Sequence, residues 1–334
     1  MENRAVGMRL SLAIPVWNDI EGVRRLVRQA AELGVFEEVV VVDDASDKPV
    51  KLTGLVPEGA FPGGLKVVRV RGQKGAGHAR NRALQRVTGT HVIFFDSDDL
   101  FGGDFPQIVA LAAERSEPFD FLIFRHDDSR CMGEGKPGGT FPTEEEHWRA
   151  VGAEVAPTLI DGAKASRLVQ LSAYPWNKIY RTEFLREKNL RCTELMVHND
   201  LELHWTGFVA AEKILVTRLV GAVHHVAETG SRLTNRRSKE RLEVFSALAN
   251  VLARIEASVP SGGLEFLVPF ARFSWNLLGW IEANLDPEHA PELGVRARRF
   301  FMSHLKGPHM TLLAHGDPAL ARRVVRFVMT GSRR

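Results

Sequence analysis

The first half of the chain alternates short apolar runs with segments of helical periodicity. Residues 19–33 place apolar side chains at helical spacing, and Gly34 follows as a stop signal. The valine run 39–42 is continuous, which is typical of a strand covered on both faces of its sheet. The predicted strands are 9–16, which Pro15 ends, 36–44, 65–70, 91–95 and 119–124, and a second helix is predicted over 77–87. This alternation predicts an α/β fold with a doubly wound, mostly parallel, Rossmann-like sheet.

The second half has a different pattern. Residues from about 127 to 165 begin with a stretch rich in Gly, Pro and charge, which predicts a loop or a domain boundary. From about residue 236 onward only helical periodicity remains, and Pro318 stands at a favourable first position for the last helix. We therefore expect a helical C-terminal extension after the α/β domain.

Composition and charge exclude several classes of protein. Hydrophobic residues make up 44% and charged residues 25% of the 334 residues, which is the ordinary balance of a globular protein. The net charge of +3 is too small to indicate a nucleic-acid-binding protein. Cys131 and Cys192 form neither a zinc motif nor a disulfide framework, so a reducing cytoplasm fits best. No signal peptide or membrane-spanning run is evident, so we expect a soluble protein, or one peripheral to a membrane.

Acidic residues follow two of the predicted strands. Asp96, Asp98 and Asp99 come after the strand 91–95, and Asp43 and Asp44 end the strand that contains the valine run. Ligands of open α/β sheets bind beyond the carboxyl ends of the strands, so these side chains are expected to converge on one crevice. Clustered carboxylates suit Mg²⁺ or Mn²⁺ bound together with substrate phosphates. The competing interpretation is that aspartates here only form turns or caps, and it is favoured for Asp43 and Asp44 taken alone.

Several segments together resemble a known family. They are IPVWN (14–18), VDDASD (42–47), KGAGHARNRAL (74–84), FFDSDD (94–99), and the later stretches 175–192, 197–214 and 223–234. In this order they resemble the inverting glycosyltransferases of family 2, which have the GT-A fold. The chain departs from the family pattern at Trp17, Lys74, Asn199, His224 and His225; Asn199 replaces the glutamate of an acidic pair and leaves Asp200.

The resemblance implies a division of the chain and a reaction. Residues 1–235 would form a GT-A domain that binds a nucleotide sugar and catalyses transfer, with the acceptor side at about 165–235. Residues 236–334 would form the helical region. The implied reaction moves a sugar from a nucleotide diphosphate donor, with uridine diphosphate expected from the family, to an acceptor hydroxyl with inversion. Surface polysaccharide or cell-envelope synthesis is the expected setting.

The resemblance also assigns donor-side residues. Asp98 would hold Mn²⁺ or Mg²⁺, with Asp96 near the metal and the ribose and His225 as a further ligand. Nucleotide binding would involve Pro15, Trp17, Asp43, Asp44, Arg80 and Asp96, with Asp43 favoured over Asp44 as the partner of the base. Two alternatives remain open: Arg80 only holds the acidic cluster in place by a salt bridge, and the adjacent histidines are structural.

Inversion requires one general base opposite the leaving group, and the resemblance assigns this role to Asp200. The competing interpretation is that Asp200 caps the helix that follows it. Glu202 is a weaker candidate for the base. The implied acceptor-binding residues are Trp176, Asn177 and Lys178, although Trp176 also fits a core position.

Two questions about partners stay open in the sequence. The arginines of the last helices suit an anionic membrane surface and a lipid-linked acceptor, but they also fit a solvated charged face or a dimer contact. The replacement of a glutamate by Asn199 is also compatible with a second class of function, a scaffold protein that binds a nucleotide without turnover. No nucleic-acid partner is expected.

Overall fold

The computed structural model describes residues 7–133, 138–225 and 237–333. Within these ranges the chain forms nine strands and twelve α-helices. The strands are β1 (Leu10–Val16), β2 (Glu38–Asp43), β3 (Leu65–Arg69), β4 (His91–Phe94), β5 (Leu100–Phe101), β6 (Phe121–Asp128), β7 (Thr158–Ile160), β8 (Lys178–Arg181) and β9 (Ile214–His224). The helices are α1 (Ile20–Leu33), α2 (Ala76–Leu84), α3 (Phe105–Ala113), α4 (Pro142–Val151), α5 (Gly162–Leu168), α6 (Thr182–Glu187), α7 (Leu201–Ala210), α8 (Val244–Ala257), α9 (Leu267–Asn284), α10 (Ala290–His304), α11 (Gly307–Gly316) and α12 (Pro318–Thr330).

All nine strands join one sheet in the order β3-β2-β1-β4-β8-β6-β9-β5, with β7 paired to β9. The half β3-β2-β1-β4 is parallel, whereas β8 is antiparallel to both of its neighbours. The predicted α/β fold is therefore confirmed, with a parallel first half and a mixed second half. From β1 the chain adds β2 and β3 on one side of the sheet and then returns to place β4 on the other side of β1. The strand order therefore reverses between β1 and β4, and a crevice opens at the carboxyl ends of these two strands.

The first strand shows one departure from the predicted boundaries. Pro15 does not end β1, which continues to Val16 and pairs with β2 from Ser11 to Val16. The neighbouring β4 pairs with β1 only up to Ala13, so the missing N–H of Pro15 costs no hydrogen bond on that side. Pro15 can therefore stand at the carboxyl end of a central strand.

Helix α1 confirms the predicted helix and its stop signal, and it shows an N-terminal cap in addition. The Asp19 carboxylate accepts a hydrogen bond from the Gly22 amide at 3.1 Å and caps the helix, while Gly34 ends it with a φ of 64°. The loop predicted from about 127 to 165 needs correction, since it contains α4, β7 and the start of α5. Pro142 at the start of α4 and the acidic side chains of its first turn are favourable helix-start residues that the loop-rich composition obscured.

The predicted C-terminal helices are confirmed, and they pack on the sheet domain through α7 and α8. Trp205 of α7 is fully buried and lies edge-on to Phe270 of α9, with ring centroids 5.5 Å apart. The helices thus share a continuous hydrophobic core with one face of the sheet. The predicted division at residue 235 falls among residues 226–236, which lie outside the described part, and it stays a prediction.

Among the described residues no helix is both long and apolar enough to cross a bilayer. Cys131 and Cys192 are free thiols, as expected, and Cys192 is buried.

A buried carboxylate holds the amino-terminal edge of the parallel strands. Glu38 is fully buried and accepts hydrogen bonds from the Ser11 hydroxyl at 2.8 Å, the Lys66 ammonium at 2.6 Å and the Thr88 amide. Burial alone would raise the pKa of Glu38, but these donors outweigh it and lower the pKa from 4.5 to about 2. Glu38 therefore ties β1, β2, β3 and the turn before β4 together as an anion.

We expect Glu38→Gln to lower the free energy of unfolding at neutral pH by about 2 kcal/mol, because a buried charged acceptor is lost. The folded-state pKa lies below the ordinary value, so this stabilisation is complete above pH 4.5 and disappears as the pH falls toward 2. Urea unfolding followed by tryptophan fluorescence should show the wild-type and variant curves converging in that window. The exposed Glu32→Gln is the control, and equal stability of Glu38→Gln and wild type at neutral pH would contradict the prediction.

Candidate active site

A cleft of about 720 Å³ opens at the carboxyl ends of β1, β2 and β4. Its walls come from residues within 15–25, from 96–98 and from 196–200, together with Asp44, Ala76 and Arg80. The first two sets follow strands of the parallel half, as the sequence predicted. The third set closes the cleft from the segment that precedes α7.

The acidic cluster after β4 divides into two parts. Asp96 and Asp98 line the cleft, whereas Asp99 is buried behind it. Asp99 Oδ1 lies 2.9 Å from His224 Nδ1 and accepts a hydrogen bond from the His225 amide, also at 2.9 Å. Burial raises the pKa of Asp99. Burial alone would lower the pKa of His224, but the hydrogen bond between His224 and Asp99 outweighs this effect and raises it. Asp99 therefore joins the strand-end loop to the end of β9.

Arg80 is the buried cation of the site. Its Nη2 donates to Asp96 Oδ1 at 2.5 Å, and its Nη1 donates to Asn199 Oδ1 at 2.6 Å. The Arg80 side chain is only 4% exposed, and the nearby carboxylates of Asp96 and Asp200 raise its pKa against the effect of burial. The salt bridge expected as an alternative role for Arg80 is thus present, and Arg80 also lines the cleft.

Helix α2 places Arg80 by packing closely against the segment before α7. A Cβ on Gly77 would lie 2.1 Å from the Thr193 carbonyl oxygen, so only glycine permits this approach. Gly75 caps the helix with a φ of 92°. The two glycines therefore serve the turn and the packing of α2.

The two aspartates at the end of β2 differ in position. Asp44 lines the cleft, and its carboxylate accepts hydrogen bonds from the backbone amides of Lys74 and Gly75. Asp43 is fully buried, outside the set of cleft-lining residues, and accepts from the amides of Ser46 and Val50 and from Arg69. Its predicted contact with the nucleotide base stays a prediction.

Pro15 and Trp17 line the cleft at the end of β1, where the sequence placed the wall of the nucleotide site. The half-buried indole of Trp17 offers a planar apolar surface. The next residue, Asn18, has a φ of 53°, and its side chain exchanges hydrogen bonds with Asp47. The end of β1 is thereby fixed to the loop after β2.

Asp200 lies in the cleft wall that is formed by residues 196–200. It precedes α7, but its side chain makes no capping hydrogen bond, so the structure does not give it the role of a helix cap. Burial raises the pKa of Asp200 to about 6, while the nearby Arg80 opposes and the nearby Asp96 reinforces this shift. The carboxylate is therefore a stronger base than an ordinary aspartate and faces the same cleft as Asp96 and Asp98.

The predicted acceptor residues lie in the interior. Trp176, Asn177 and Lys178 are at most 1% exposed, and none is among the cleft-lining residues. Trp176 stacks on Tyr174 with ring centroids 4.5 Å apart, and Lys178 Nζ donates to the Tyr174 carbonyl and to Asn177 Oδ1. Burial lowers the pKa of Lys178 to about 7. Trp176 thus occupies the core position that was the alternative, and an acceptor role for the three residues stays a prediction.

His225 stands at the end of β9 with an exposed side chain. No group of three or more His, Cys, Asp or Glu side chains arranged to hold a metal ion occurs in the described ranges. Its role as a metal ligand stays a prediction, as does the role of the motif segment 226–234, which lies outside the described residues.

Sequence reasoning missed several cleft residues. Ser97 donates to the Asp19 carboxylate at 2.6 Å, and Arg25 Nη2 donates to the Asp98 carbonyl at 3.3 Å. Both contacts join α1 to the acidic loop across the switch point. The only signal was that Asp19 and Arg25 begin a helix directly after the first strand. His198, with a φ of 57°, also lines the cleft; it lies within the segment 197–214, but the resemblance assigned it no role.

The comparisons with known proteins agree with this geometry. Residues 11–149 match the family model described as Glycosyl transferase family 2. The chain is 26% identical over 143 residues to YwdF of Bacillus subtilis (strain 168), covering 42% of this chain and 49% of that protein. It is 24% identical over 204 residues to YibD of Escherichia coli (strain K12), covering 59% and 55%. Both are described as uncharacterized glycosyltransferases, and the chain spans about half of their length.

Solved structures share the fold at lower identity. The S. aureus TarS 1-349 fragment in complex with UDP-GlcNAc superposes with a TM-score of 0.71 and 20% identity, covering 98% of this chain and 90% of that one. The mannosyltransferase PcManGT of Pyrobaculum calidifontis, in complex with GDP-Man and Mn²⁺, gives a TM-score of 0.51 and 16% identity, covering 98% and 85%. Residues 11–149 are thus similar to glycosyltransferase family 2, and the chain as a whole shares the architecture of these solved structures.

Proposed function

We propose that the protein transfers a glycosyl group from a nucleotide diphosphate sugar to an acceptor hydroxyl with inversion. One observation carries the proposal: Asp96, Asp98 and Asp200 face one cleft at the topological switch point of a family 2 domain. Two of these carboxylates suit the diphosphate end of a donor. The third comes from a different segment of the cleft wall, 196–200, where an acceptor hydroxyl would approach.

The nucleotide fits the part of the cleft formed by β1 and β2. Pro15 and Trp17 offer an apolar wall for a base, and Asp44 with the loop after β2 offers polar contacts. Uridine diphosphate is the proposed nucleotide, in agreement with the UDP-GlcNAc bound by TarS, whereas PcManGT binds GDP-Man.

The residues present fit a divalent cation. Mg²⁺ and Mn²⁺ are often held by one or two carboxylates while substrate phosphates and water complete the coordination, and Asp98 and Asp96 supply such a pair. When bound, the cation would neutralise the charge that develops on the leaving diphosphate. Arg80 fixes the orientation of Asp96 and contributes a permanent positive charge to the same region. PcManGT binds Mn²⁺ together with its donor.

Asp200 is the proposed general base. An inverting enzyme needs one carboxylate that accepts the proton of the acceptor hydroxyl during attack. The raised pKa of Asp200, about 6, keeps it ionised at neutral pH and makes it a better proton acceptor than a solvated aspartate. Beside Asp200, the neutral Asn199 stands where the family pattern has a glutamate, and its side-chain oxygen accepts a hydrogen bond from Arg80. Asp200 is therefore the carboxylate of the cleft wall 196–200.

The acceptor is proposed to be a saccharide or a lipid-linked saccharide of cell-envelope or surface polysaccharide synthesis, handled in the cytoplasm. Asp200 lies in the wall formed by 196–200, so the acceptor would enter beside this segment. Trp176, Asn177 and Lys178 would support that wall from the interior, because Asp200 is close enough to raise the pKa of Lys178 against the effect of burial.

We expect Asp200→Asn to bind donor as the wild type does and to transfer sugar about a thousandfold more slowly, since a positioned general base contributes roughly 10² to 10⁴ in rate. Calorimetry measures the first effect, and chromatographic detection of the product of UDP-sugars with oligosaccharide acceptors measures the second. Glu202→Gln is the matched comparison, because Glu202 is bound by Thr193 and Asn250 outside the cleft wall. Transfer that persists in Asp200→Asn but fails in Glu202→Gln would move the base to Glu202.

We expect nucleoside diphosphates to bind more tightly with Mn²⁺ than without it, and we expect Asp98→Asn to abolish this difference. The physical reason is that one of two carboxylate ligands becomes a neutral amide. Titration calorimetry with uridine, guanosine, adenosine and cytidine diphosphates measures both effects and identifies the base. Asp286→Asn, at the surface of the helical region, is the control for loss of one negative charge.

Folded protein that binds none of the four nucleotides, with or without Mn²⁺, would contradict the proposed donor. Binding of a nucleotide in a wild-type protein that transfers no sugar to any acceptor would favour the scaffold function.

A further inference from the structure

Positive charge is concentrated at the C-terminal end of the chain. Residues 290–334 contain nine Lys or Arg and two Asp or Glu, which gives a formal charge of +7, whereas the whole chain carries +3. Residues 1–289 are therefore net acidic. The asymmetry makes the last three helices a separate electrostatic surface.

Helix α12 places part of this charge on one exposed face together with apolar side chains. Arg322, Val325, Arg326 and Met329 follow the spacing of a single helix face, while the opposite face is buried. Val325 is 46% exposed and Met329 is 74% exposed. Helix α12 therefore presents apolar side chains beside arginines on a solvent face.

Helix α10 repeats the arrangement. Val295, Arg298, Arg299 and Met302 have the same spacing on its exposed side, and Val295 and Met302 are 70% and 54% exposed. Arg298 Nε donates to the Val328 carbonyl of α12 at 2.5 Å, so the two faces meet. We call these eight residues of α10 and α12 the basic-apolar face.

A groove of about 860 Å³ continues this face between α11 and α12. Met310 and Ala314 of α11 form one side, and Val325, Arg326 and Met329 of α12 form the other. The groove is therefore apolar along its floor and carries arginine at its edge.

The arginines of this face differ from their neighbours. Arg323 and Arg333 lie over the Trp275 ring, at 5.7 and 4.1 Å from its centroid, and serve the packing of α12 on α9. In contrast, Arg299, Arg322 and Arg326 have no acidic side chain as partner anywhere in the described ranges. Their charge is directed to solvent.

We propose that the basic-apolar face docks the protein on an anionic membrane surface. Arginine beside exposed Val and Met matches the two layers of such a surface, anionic headgroups and the start of the acyl chains. A second copy of the chain is a poorer occupant, because a symmetric contact would set the arginines of both copies against each other. The inference does not rest on the proposed reaction.

The test is co-sedimentation of the full chain with vesicles, without donor or acceptor. We expect binding to vesicles of equal parts phosphatidylcholine and phosphatidylglycerol, and none to vesicles of phosphatidylcholine alone. Binding should weaken as salt is raised, because the contacts with headgroups are electrostatic. Equal binding to both vesicle types, or none to either, would overturn the proposal.

Paired variants localise the contact. Arg322→Gln with Arg326→Gln should weaken binding by about tenfold or more, as each basic side chain near the surface contributes substantially. Val325→Ser with Met329→Ser should weaken it at unchanged charge. The exposed pair Arg28→Gln with Arg218→Gln loses the same charge elsewhere and should bind as the wild type does.

Unchanged melting temperatures would confirm that the variants fold. Equal loss in the Arg28 and Arg218 variant would overturn the assignment to this face. A different outcome would be a wild-type chain that binds neither vesicle type but forms a concentration-dependent oligomer in light scattering. If Val325→Ser with Met329→Ser abolished that oligomer, the face would be a contact between copies of the chain instead.

Discussion

The candidate site depends on one buried guanidinium. Arg80 stands at the junction of three parts of the fold, because it comes from α2 and contacts Asp96 after β4 and Asn199 before α7. A buried charge is tolerated only when it is paired and hydrogen bonded, so the positions of these partners are constrained together. The distance across the cleft, from the acidic loop to Asp200, follows from this constraint. The glycines of α2 serve the same end, since a bulkier residue at Gly77 would push the helix and its arginine away.

The same electrostatic logic explains how three aspartates can stand within four positions. Asp96 is neutralised by Arg80, and Asp99 is held by His224 behind the cleft. The two outer carboxylates thus have separate partners, the Arg80 guanidinium for Asp96 and the His224 imidazole for Asp99, on either side of Asp98. The cluster is not a uniform acidic patch: each carboxylate has a different environment, and only two of the three face the space where a ligand would lie.

Sequence patterns predicted those features of the fold that depend on interactions between residues close in the chain. The strand β2, the capped helix α1 and the convergence of Asp44 and Asp96 on one crevice follow from periodicity, caps and the geometry of parallel strands. The inward turn of Asp99 depends on a histidine 125 residues away, and the closure of the cleft depends on a hydrogen bond between residues 119 apart. No pattern within a short window contains such partners. Trp176, Asn177 and Lys178 show the same limit, because a motif names neighbours in sequence but not the depth at which they are buried.

The long separation of Arg80 from Asn199 also has a consequence for synthesis. During translation the parallel strands, α2 and the acidic loop leave the ribosome about a hundred residues before the wall that completes the cleft. Before residues 193–200 are synthesised, Arg80 can contact Asp96 but not Asn199. Helix α2 likewise lacks the segment against which Gly77 packs. The parallel half of the sheet therefore emerges before the segment 196–200 that completes the surroundings of Arg80, and this buried cation acquires its full set of partners only late in synthesis.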